Sequence, residues 1–309
     1  MHNWPSIVDI APEVANALRR GKPVVALESA VISHGLPPPI GQEASAAQEE
    51  EVREAGAVPA TVVVLAGRIK VGATARERDQ LTASGAIKIA ARDLPVAAAL
   101  SATGGATVSA TITIADLVGI RVIATGGIGG VHLGAEQTWD VSADLRALAE
   151  HPVAVICAGA KAICDIGKTL EFLDTAGITV VAYGTDNFPN FYARESGLPA
   201  PRRADKPRDV ASILVGKRML QQRTAVVVAN PIPAPDALGE REVADAVRRA
   251  TAQASGAGVR GGDLTPYLLA VLADLTGGRS LRANLVLLRA NAALAGEVAV
   301  ALSQADQEE

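Results

Sequence analysis

The stretch VAVICAGAKAICDIGKTLEFLDTAGITVVAYG, residues 153–184, carries the pattern that decides the fold. An apolar run of strand length ends in small residues, a segment of helical periodicity follows, and a second apolar run, TVVAYG, closes the unit. Two strands of one sheet that are joined through a helix run parallel, because the crossover returns the chain to the same edge of the sheet. The stretch therefore predicts a β-α-β unit.

The same alternation recurs along the chain, in PVVALES before GQEASAAQEEEVREAG, TVVVLAG before TARERDQLTAS and VIATGG before SADLRALAE. A hydrophobic content of 49% with only 3% aromatics indicates a core of small aliphatic residues, which suits parallel strands covered by helices. We therefore expect an α/β fold with a mostly parallel central sheet flanked by helices. One domain is expected over residues 1–309, with peripheral ends at about 1–20 and 303–309.

Charge and composition exclude several kinds of partner. A net charge of −4 leaves no basic surplus to neutralise a nucleic acid backbone. No uninterrupted apolar run reaches the ~20 residues that span a bilayer, and the first residues lack the pattern of a signal peptide. We expect a cytoplasmic protein with no nucleic acid and no membrane partner, whose Cys157 and Cys164 are reduced core residues.

The glycine-dense stretch TGGIGGVHLG, residues 125–134, follows the apolar run RVIA. Such a loop lets backbone N–H groups approach an anion. It is not a dinucleotide fingerprint, because His132 stands where the third glycine is required, and GKT at 167–169 is not a phosphate loop, because Ala162 replaces its first glycine. Hydride transfer and nucleotide hydrolysis are both disfavoured.

Three chemically active side chains stand in apolar surroundings. Glu28 ends the run VVAL, where a carboxylate is costly unless it has partners or its pKa is raised so that it can donate a proton. Lys88 lies in AIKIAARDL and Lys161 follows VAVIC, and a desolvated amine can form an imine with a carbonyl. The pattern around Glu28 is equally compatible with a structural role. Lys161 is equally compatible with a solvated position on the following helix. If these residues are functional, they meet where ligands collect, at the carboxyl ends of the strands.

The stretch WDVSADL, residues 139–145, has two interpretations. Ser142 can cap the helix that begins ADLRALAE, with Asp144 favourable in its first turn. Alternatively, Asp140 holds a divalent cation with water while its neighbours reach a polyol or a phosphate. Both interpretations stay open at this point.

A long irregular segment over residues 184–209 interrupts the alternation and holds two of the three Phe and one of the three Tyr. Segments of this length inside a compact domain are usually lids or binding loops. A contact between domains or subunits is the other interpretation.

Several of these stretches together resemble one family. LESAVISHGLP, TGGIGGVHLGAE, DVSADL, CAGAKAICDIGKTLE, TDNFPNFYARESG, VVANPIP and SLRANLVLLRANAA follow in order between residues 23 and 299. They are similar to the pseudouridine-5'-phosphate glycosidase family, to which the indigoidine-synthesis A protein belongs.

The resemblance implies an indigoidine synthase A-like fold and an enzyme of pseudouridine catabolism. That enzyme reversibly cleaves the C–C glycosidic bond of pseudouridine 5'-phosphate to uracil and ribose 5-phosphate through a lysine-linked, ring-opened sugar. It also implies one Mn²⁺ or another divalent ion per subunit and a homotrimer. By matching motifs, Lys161 is the nucleophile, Glu28 the proton donor and Asp140 the metal ligand. The residues implied to bind substrate are Lys88, Val108, His132, Ser142, Ala143, Asp144 and Asn284.

The sequence departs from the family pattern at three positions. Leu133 stands where a basic residue is usual, Gly41 replaces an Asn, and Ala290 replaces the first Asn of a terminal Asn-Asn-Ala. None has a bond-making role, so they bear on affinity and base preference. Two alternatives remain: a catalytically silent protein that binds a sugar phosphate or nucleotide, and a related glycosidase with another base or a role in pigment synthesis.

Overall fold

One sheet of eleven strands lies at the centre of the structure, a computed structural model that describes residues 4–83, 85–259 and 264–308. The strands are β1 (Val8–Ile10), β2 (Val24–Leu27), β3 (Val58–Leu65), β4 (Arg68–Val71), β5 (Ile87–Ile89), β6 (Gly104–Ala106), β7 (Val122–Ala124), β8 (Ala154–Cys157), β9 (Thr179–Tyr183), β10 (Arg203–Ala204) and β11 (Val226–Ala229). The main path runs β1-β4-β3-β2-β7-β8-β11-β9-β10, and β6 joins β5 to β3.

The predicted mostly parallel sheet is confirmed. Among the described strands only β3 pairs in antiparallel fashion, with β4 and with β6. The β3–β4 hairpin turns at Ala66 and Gly67, which have φ of 47° and 78°. Positive φ at both central residues matches the twist of the two strands, so this tight turn interrupts the β-α alternation.

Helices cover both faces of the sheet. They are α1 (Pro12–Arg19), α2 (Ile40–Glu54), α3 (Ala75–Asp79), α4 (Leu94–Ala99), α5 (Val108–Val118), α6 (Ala135–Thr138), α7 (Ala143–Glu150), α8 (Ile166–Thr175), α9 (Pro207–Met219), α10 (Glu240–Gly256), α11 (Leu264–Leu275) and α12 (Arg279–Glu308). Side chains alternate across each strand, so Val25 and Leu27 of β2 face α12 and its neighbours, while Val24 and Ala26 face the opposite helix layer.

The long helix α12 is the core helix of one layer. By length and composition it could cross a membrane, but 56% of its most apolar window is buried inside the structure. It packs on α2 at close range, since a Cβ at Gly296 would lie 2.5 Å from the Cβ of Ala55. Close packing thus explains the alanine-rich sequence of α12 and its glycine at position 296.

The chain ends are attached more firmly than their sequence indicates. The segment expected to be peripheral at residues 1–20 supplies β1 as an edge strand beside β4, and Val14 of α1 is buried. At the other end, Asp306 pairs with Arg121 and Arg218. Residues 1–3 and 309 of the two expected end segments lie outside the described residues.

The irregular segment at 184–209 packs into the body of the protein. Phe188, Phe191 and Tyr192 are all buried, and the Phe191 N–H donates to the Ala158 carbonyl at 3.1 Å. These aromatic side chains belong to the core, so the segment is a packed wall that reaches the site described below. A lid that opens would require these aromatic side chains to leave the core.

Candidate active site

Polar side chains from several strands line one cavity of about 330 Å³ at the edge of the sheet. This volume falls in the range of roughly 300–1,000 Å³ that is usual for small-molecule sites. Glu28 follows β2, the glycine loop follows β7 and Lys161 follows β8. Lys88 is the middle residue of β5, which reaches the same edge because β6 pairs with Val63 and Val64 near the end of β3. Each site residue expected from the sequence lines this cavity: Glu28, Lys88, Val108, His132, Asp140, Ser142, Ala143, Asp144, Lys161 and Asn284.

Lys161 lies in a tight turn between β8 and α8. Its N–H donates to the Ile128 carbonyl at 2.9 Å, and its carbonyl accepts from the Cys164 N–H at 2.8 Å. Gly159 in this turn has φ +86°, and a Cβ there would come within 2.7 Å of the Pro189 carbonyl. The backbone therefore requires small neighbours, and the amine lies in the cavity wall rather than on the following helix.

Lys168, the second lysine of the same motif, has a different environment. It lies on α8, about half exposed, and its amine pairs with Glu136 at 2.6 Å and Asp165 at 3.3 Å. Such exposed pairs contribute little to stability. Lys168 is thus a surface residue outside the cavity.

Glu28 is only 8% exposed at the end of β2. Its Oε2 accepts the Val31 N–H at 3.1 Å. Burial raises the pKa of this carboxyl, because the charged form loses hydration, and the nearby Lys161 opposes the shift only in part. Glu28 is therefore suited to hold a proton and give it away inside the cavity.

Lys88 adds a second amine close to Lys161. Burial lowers the pKa of Lys88, and the charge of Lys161 lowers it further, while Asp144 and Glu28 act in the opposite direction. Two amines and two carboxylates thus share one partly desolvated space, where burial and the neighbouring charges shift the pKa values of Lys88 and Glu28.

Asp144 joins two parts of the wall. It is 5% exposed; its Oδ1 accepts the Ser109 N–H and its Oδ2 accepts the Gly129 N–H, both at 2.8 Å. The Asp144 N–H in turn donates to Ser142 Oγ at 3.2 Å, so the prediction that Ser142 caps α7 is confirmed. A Cβ at Gly129 would collide with Ser142 Oγ, which explains why glycine is needed there.

A cationic corner of the cavity lies at the start of α5. Val108 is the first residue of this helix, whose amino end carries a partial positive charge. Lys88 and Arg92 line the cavity there as well, and the Arg92 side chain is 76% exposed. The sequence analysis did not select Arg92, although this residue stands in the stretch AIKIAARDL four positions after Lys88. Two carboxylates share this corner, since Asp93 lies 3.6 Å from Arg92 and Asp144 accepts the Ser109 N–H, so an anion such as a phosphate would be held chiefly by Lys88 and the exposed Arg92.

His132 and Asp140 form a pair at the cavity wall. The His132 Nδ1 lies 3.9 Å from the Asp140 Oδ2, and the His132 N–H donates to the Asp140 backbone carbonyl at 3.0 Å. Burial lowers the pKa of His132 although Asp140 opposes the shift, so the imidazole is mainly neutral. Across the part of the chain that the structure describes, no three His, Cys, Asp or Glu side chains converge as a metal site. Asp140 fits a cation that keeps most of its ligands as water, as small divalent ions do.

Two further cavity residues, Phe191 and Cys164, were not singled out as site residues in the sequence, although both lie in stretches that it marked. Phe191 packs against the glycine loop, since a Cβ at Gly127 would lie 2.6 Å from its ring. The aromatic content of residues 184–209 was the available signal for it. Cys164 also lines the cavity, but burial raises the pKa of its thiol to about 11, so it is protonated and a poor nucleophile.

Comparison with known proteins places this chain among proteins of related architecture. A family described as "Indigoidine synthase A like protein" matches residues 13–301. A pseudouridine-5'-phosphate glycosidase of Methylobacterium nodulans is 52% identical over 96% of this chain and 88% of its own. The enzyme of that name from Rhodospirillum centenum is 53% identical over 100% of this chain and 95% of its own.

Solved structures show the same fold. The prealnumycin C-glycosynthase AlnA, in complex with ribulose 5-phosphate, has a TM-score of 0.91 and 37% identity over 99% of this chain and 100% of its own. An indigoidine synthase A-like protein of Thermotoga maritima has a TM-score of 0.89 and 33% identity, covering 98% of this chain and 99% of its own.

Proposed function

Because the chain belongs to the indigoidine synthase A-like family, we propose that it is a pseudouridine-5'-phosphate glycosidase, which cleaves pseudouridine 5'-phosphate reversibly to uracil and ribose 5-phosphate. The family resemblance found in the sequence motifs is confirmed, and the relatives with this activity match nearly the whole chain. The observation that carries the proposal is the meeting of a cavity-lining amine, Lys161, with a buried carboxyl of raised pKa, Glu28.

The bond to be broken explains the need for an amine. A C-glycoside has no leaving oxygen or nitrogen, so the two-carboxylate scheme of ordinary glycosidases does not transfer directly. In the first step, the Lys161 nitrogen bonds to C1 of the sugar as the bond from C1 to the ring oxygen breaks. Glu28 gives its proton to that oxygen and takes up the proton that the nitrogen loses.

In the second step, the C–C bond breaks. Glu28 returns its proton to the uracil carbon, and the nitrogen lone pair forms a C=N bond as the bond from C1 to that carbon breaks. Water then hydrolyses the protonated imine, which releases ribose 5-phosphate as its aldehyde, restores the Lys161 amine and gives the remaining proton back to the Glu28 carboxylate. The sum is one water consumed and one C–C bond broken, with Glu28 and Lys161 unchanged.

The cationic corner gives the substrate its orientation. Lys88, Arg92 and the amino end of α5 supply positive charge for the 5'-phosphate, and the AlnA complex with ribulose 5-phosphate supports a sugar phosphate as ligand of this fold. Fixing the phosphate presents C1 to Lys161, and such positioning accounts for a large part of enzymatic rate enhancement.

A divalent ion, Mn²⁺ or a similar cation, belongs to the proposal with Asp140 as its protein ligand and His132 beside it. When bound there, the ion supplies positive charge that orients and polarises the substrate. The part-exposed carboxylate of Asp140 supports this assignment. The proposal also includes a homotrimer and a cytoplasmic location, and the two free, buried thiols agree with a reducing compartment.

The direct test of the proposal is release of uracil from pseudouridine 5'-phosphate. We expect equal amounts of uracil and ribose 5-phosphate, measured by chromatography, with stimulation by Mn²⁺. The reverse reaction should form pseudouridine 5'-phosphate from the two products. Binding of ribose 5-phosphate without turnover would instead identify a silent binding protein. Faster turnover of a ribosyl phosphate that carries a base other than uracil would identify a related glycosidase.

Replacement of Asp140 by asparagine tests the metal assignment. We expect the Mn²⁺ concentration for half-maximal activation to rise at least about 10-fold, because the substitution removes the anionic ligand. Mn²⁺ binding should weaken by the same factor. It is measured in electron paramagnetic resonance, where the signal of the free ion is lost on binding. Glu136→Gln is the matched control, because this exposed carboxylate lies nearby in sequence but pairs with Lys168. Unchanged Mn²⁺ binding in Asp140→Asn would rule out Asp140 as the ligand.

A further inference from the structure

A buried amide, Asn291 of α12, holds the end of β7. Its side chain is fully buried, and its Nδ2 donates to the Thr125 carbonyl at 2.8 Å and the Gly126 carbonyl at 3.3 Å. Its Oδ1 accepts from Asn230 Nδ2 at 3.1 Å. Because both backbone partners are acceptors, the amide orientation is fixed: nitrogen toward β7 and oxygen toward Asn230.

The two carbonyls lie where the chain leaves the sheet and becomes the glycine loop. The Gly126 carbonyl also accepts the Ala158 N–H at 2.8 Å, and Ala158 begins the turn that ends at Lys161. Further on, the Lys161 N–H donates to the Ile128 carbonyl at 2.9 Å. The amide of Asn291 is therefore two hydrogen bonds away from the turn that carries the proposed nucleophile.

We propose that Asn291 is a positioning residue for the reaction, an inference that rests on the proposed function. It holds the glycine loop and, through Gly126, the turn of Lys161 at the separation that lets the amine reach C1 of the sugar. A displacement of about 1 Å at such a place can cost about 10²-fold in rate. Asn284, seven residues earlier and on the same helix face, lines the cavity directly, so α12 both forms part of the wall and fixes it.

The chemistry of the position explains the residue type. Two donors and one acceptor are needed on a short side chain, and asparagine supplies them. Aspartate keeps the acceptor for Asn230 but faces the two carbonyls with negative charge. Alanine leaves the carbonyls and the Asn230 amide unpaired in a buried space, which costs stability as well as position.

Four variants separate positioning from general stability. Asn291→Asp and Asn291→Ala remove the two bonds to β7, while Asn230→Ala removes only the bond to the Oδ1 of Asn291. Ser303→Ala is the matched control, because this buried hydroxyl of α12 donates to the Gly21 carbonyl at 2.8 Å, away from the cavity. Each variant is measured as folded protein for Tm, kcat, KM and the rate at which borohydride traps a ribose 5-phosphate adduct on Lys161.

The expected result is a fall in kcat of about 10²-fold in both Asn291 variants, with KM changed only a few-fold and the trapping rate reduced in parallel. Asn230→Ala should retain kcat within a few-fold, and Ser303→Ala should lower Tm without changing kcat. The inference is overturned if the folded Asn291 variants keep wild-type kcat, whether or not their KM rises. Absence of uracil release from the wild-type enzyme would overturn the proposed function instead.

Discussion

Replacement of Lys161 by alanine is expected to abolish both uracil release and the borohydride-trapped adduct. The amine lies in the cavity wall on a turn fixed by backbone hydrogen bonds to Ile128 and Cys164. Since enzymes typically supply at least about 10⁶-fold acceleration, loss of the covalent route should lower kcat on the order of 10⁴-fold or more. Turnover is measured as uracil release, and the adduct as a mass increase on the peptide that contains residue 161 after reduction with ribose 5-phosphate.

Two further lysine variants distinguish covalent catalysis by Lys161 from an effect of its charge and from a role of Lys168. Lys161→Arg keeps the positive charge but cannot form the imine, so it should be as inactive as alanine. Lys168→Ala removes the exposed lysine of the same motif and should leave turnover and adduct unchanged. Active Lys161→Arg would mean that charge rather than covalency is required. An adduct that persists in Lys161→Ala would place the nucleophile elsewhere, with Lys88 as the first residue to examine.

The sequence predicted the central part of the sheet because those strands are buried on both faces. The runs that became β2, β3, β7, β8, β9 and β11 consist mostly of Val, Ile, Leu and Ala, as double burial requires. The strand β6 has no such signal, since it reads Gly-Gly-Ala. It exists because the missing side chains allow close approach: a Cβ at Gly104 would collide with the Ile87 carbonyl, and one at Gly105 with Ser33 Oγ.

The candidate site was predictable where it depends on strand ends and unpredictable where it depends on tertiary contact. Glu28 and Lys161 are visible as polar residues that follow apolar runs. Asn291 stands in the family stretch SLRANLVLLRANAA, but its contacts depend on α12 lying beside β7, which no local pattern encodes. Asp144 combines the two cases. The sequence predicted its place in the first turn of a helix, but not its hydrogen bonds to the Ser109 and Gly129 N–H groups, which belong to other elements.

Glu28→Gln is expected to lower kcat by about 10²- to 10⁴-fold, the usual contribution of a positioned acid or base. Glutamine keeps an oxygen for the Val31 N–H but has no proton to pass to the ring oxygen or to the uracil carbon. We also expect kcat/KM of the wild type to fall as the pH rises through the raised pKa of Glu28, and this decline to be absent from the residual activity of the variant. Steady-state kinetics of both proteins across the neutral and alkaline range checks this, and an unchanged kcat would assign the proton transfers to another group.

The same substitution should stabilise the protein as the pH rises. Burial raises the pKa of Glu28, so between the ordinary pKa of a glutamate and the raised one the folded chain keeps a proton that the unfolded chain has lost. The free energy of unfolding that depends on Glu28 is therefore complete below the ordinary pKa and falls as the pH rises through the folded pKa. Glutamine does not titrate, so the Tm of Glu28→Gln should exceed that of the wild type at neutral and alkaline pH, with the difference shrinking as the pH drops toward the ordinary value. A constant Tm difference across this range would show that Glu28 is already ionised in the folded protein, and it would then be unable to act as the proton donor.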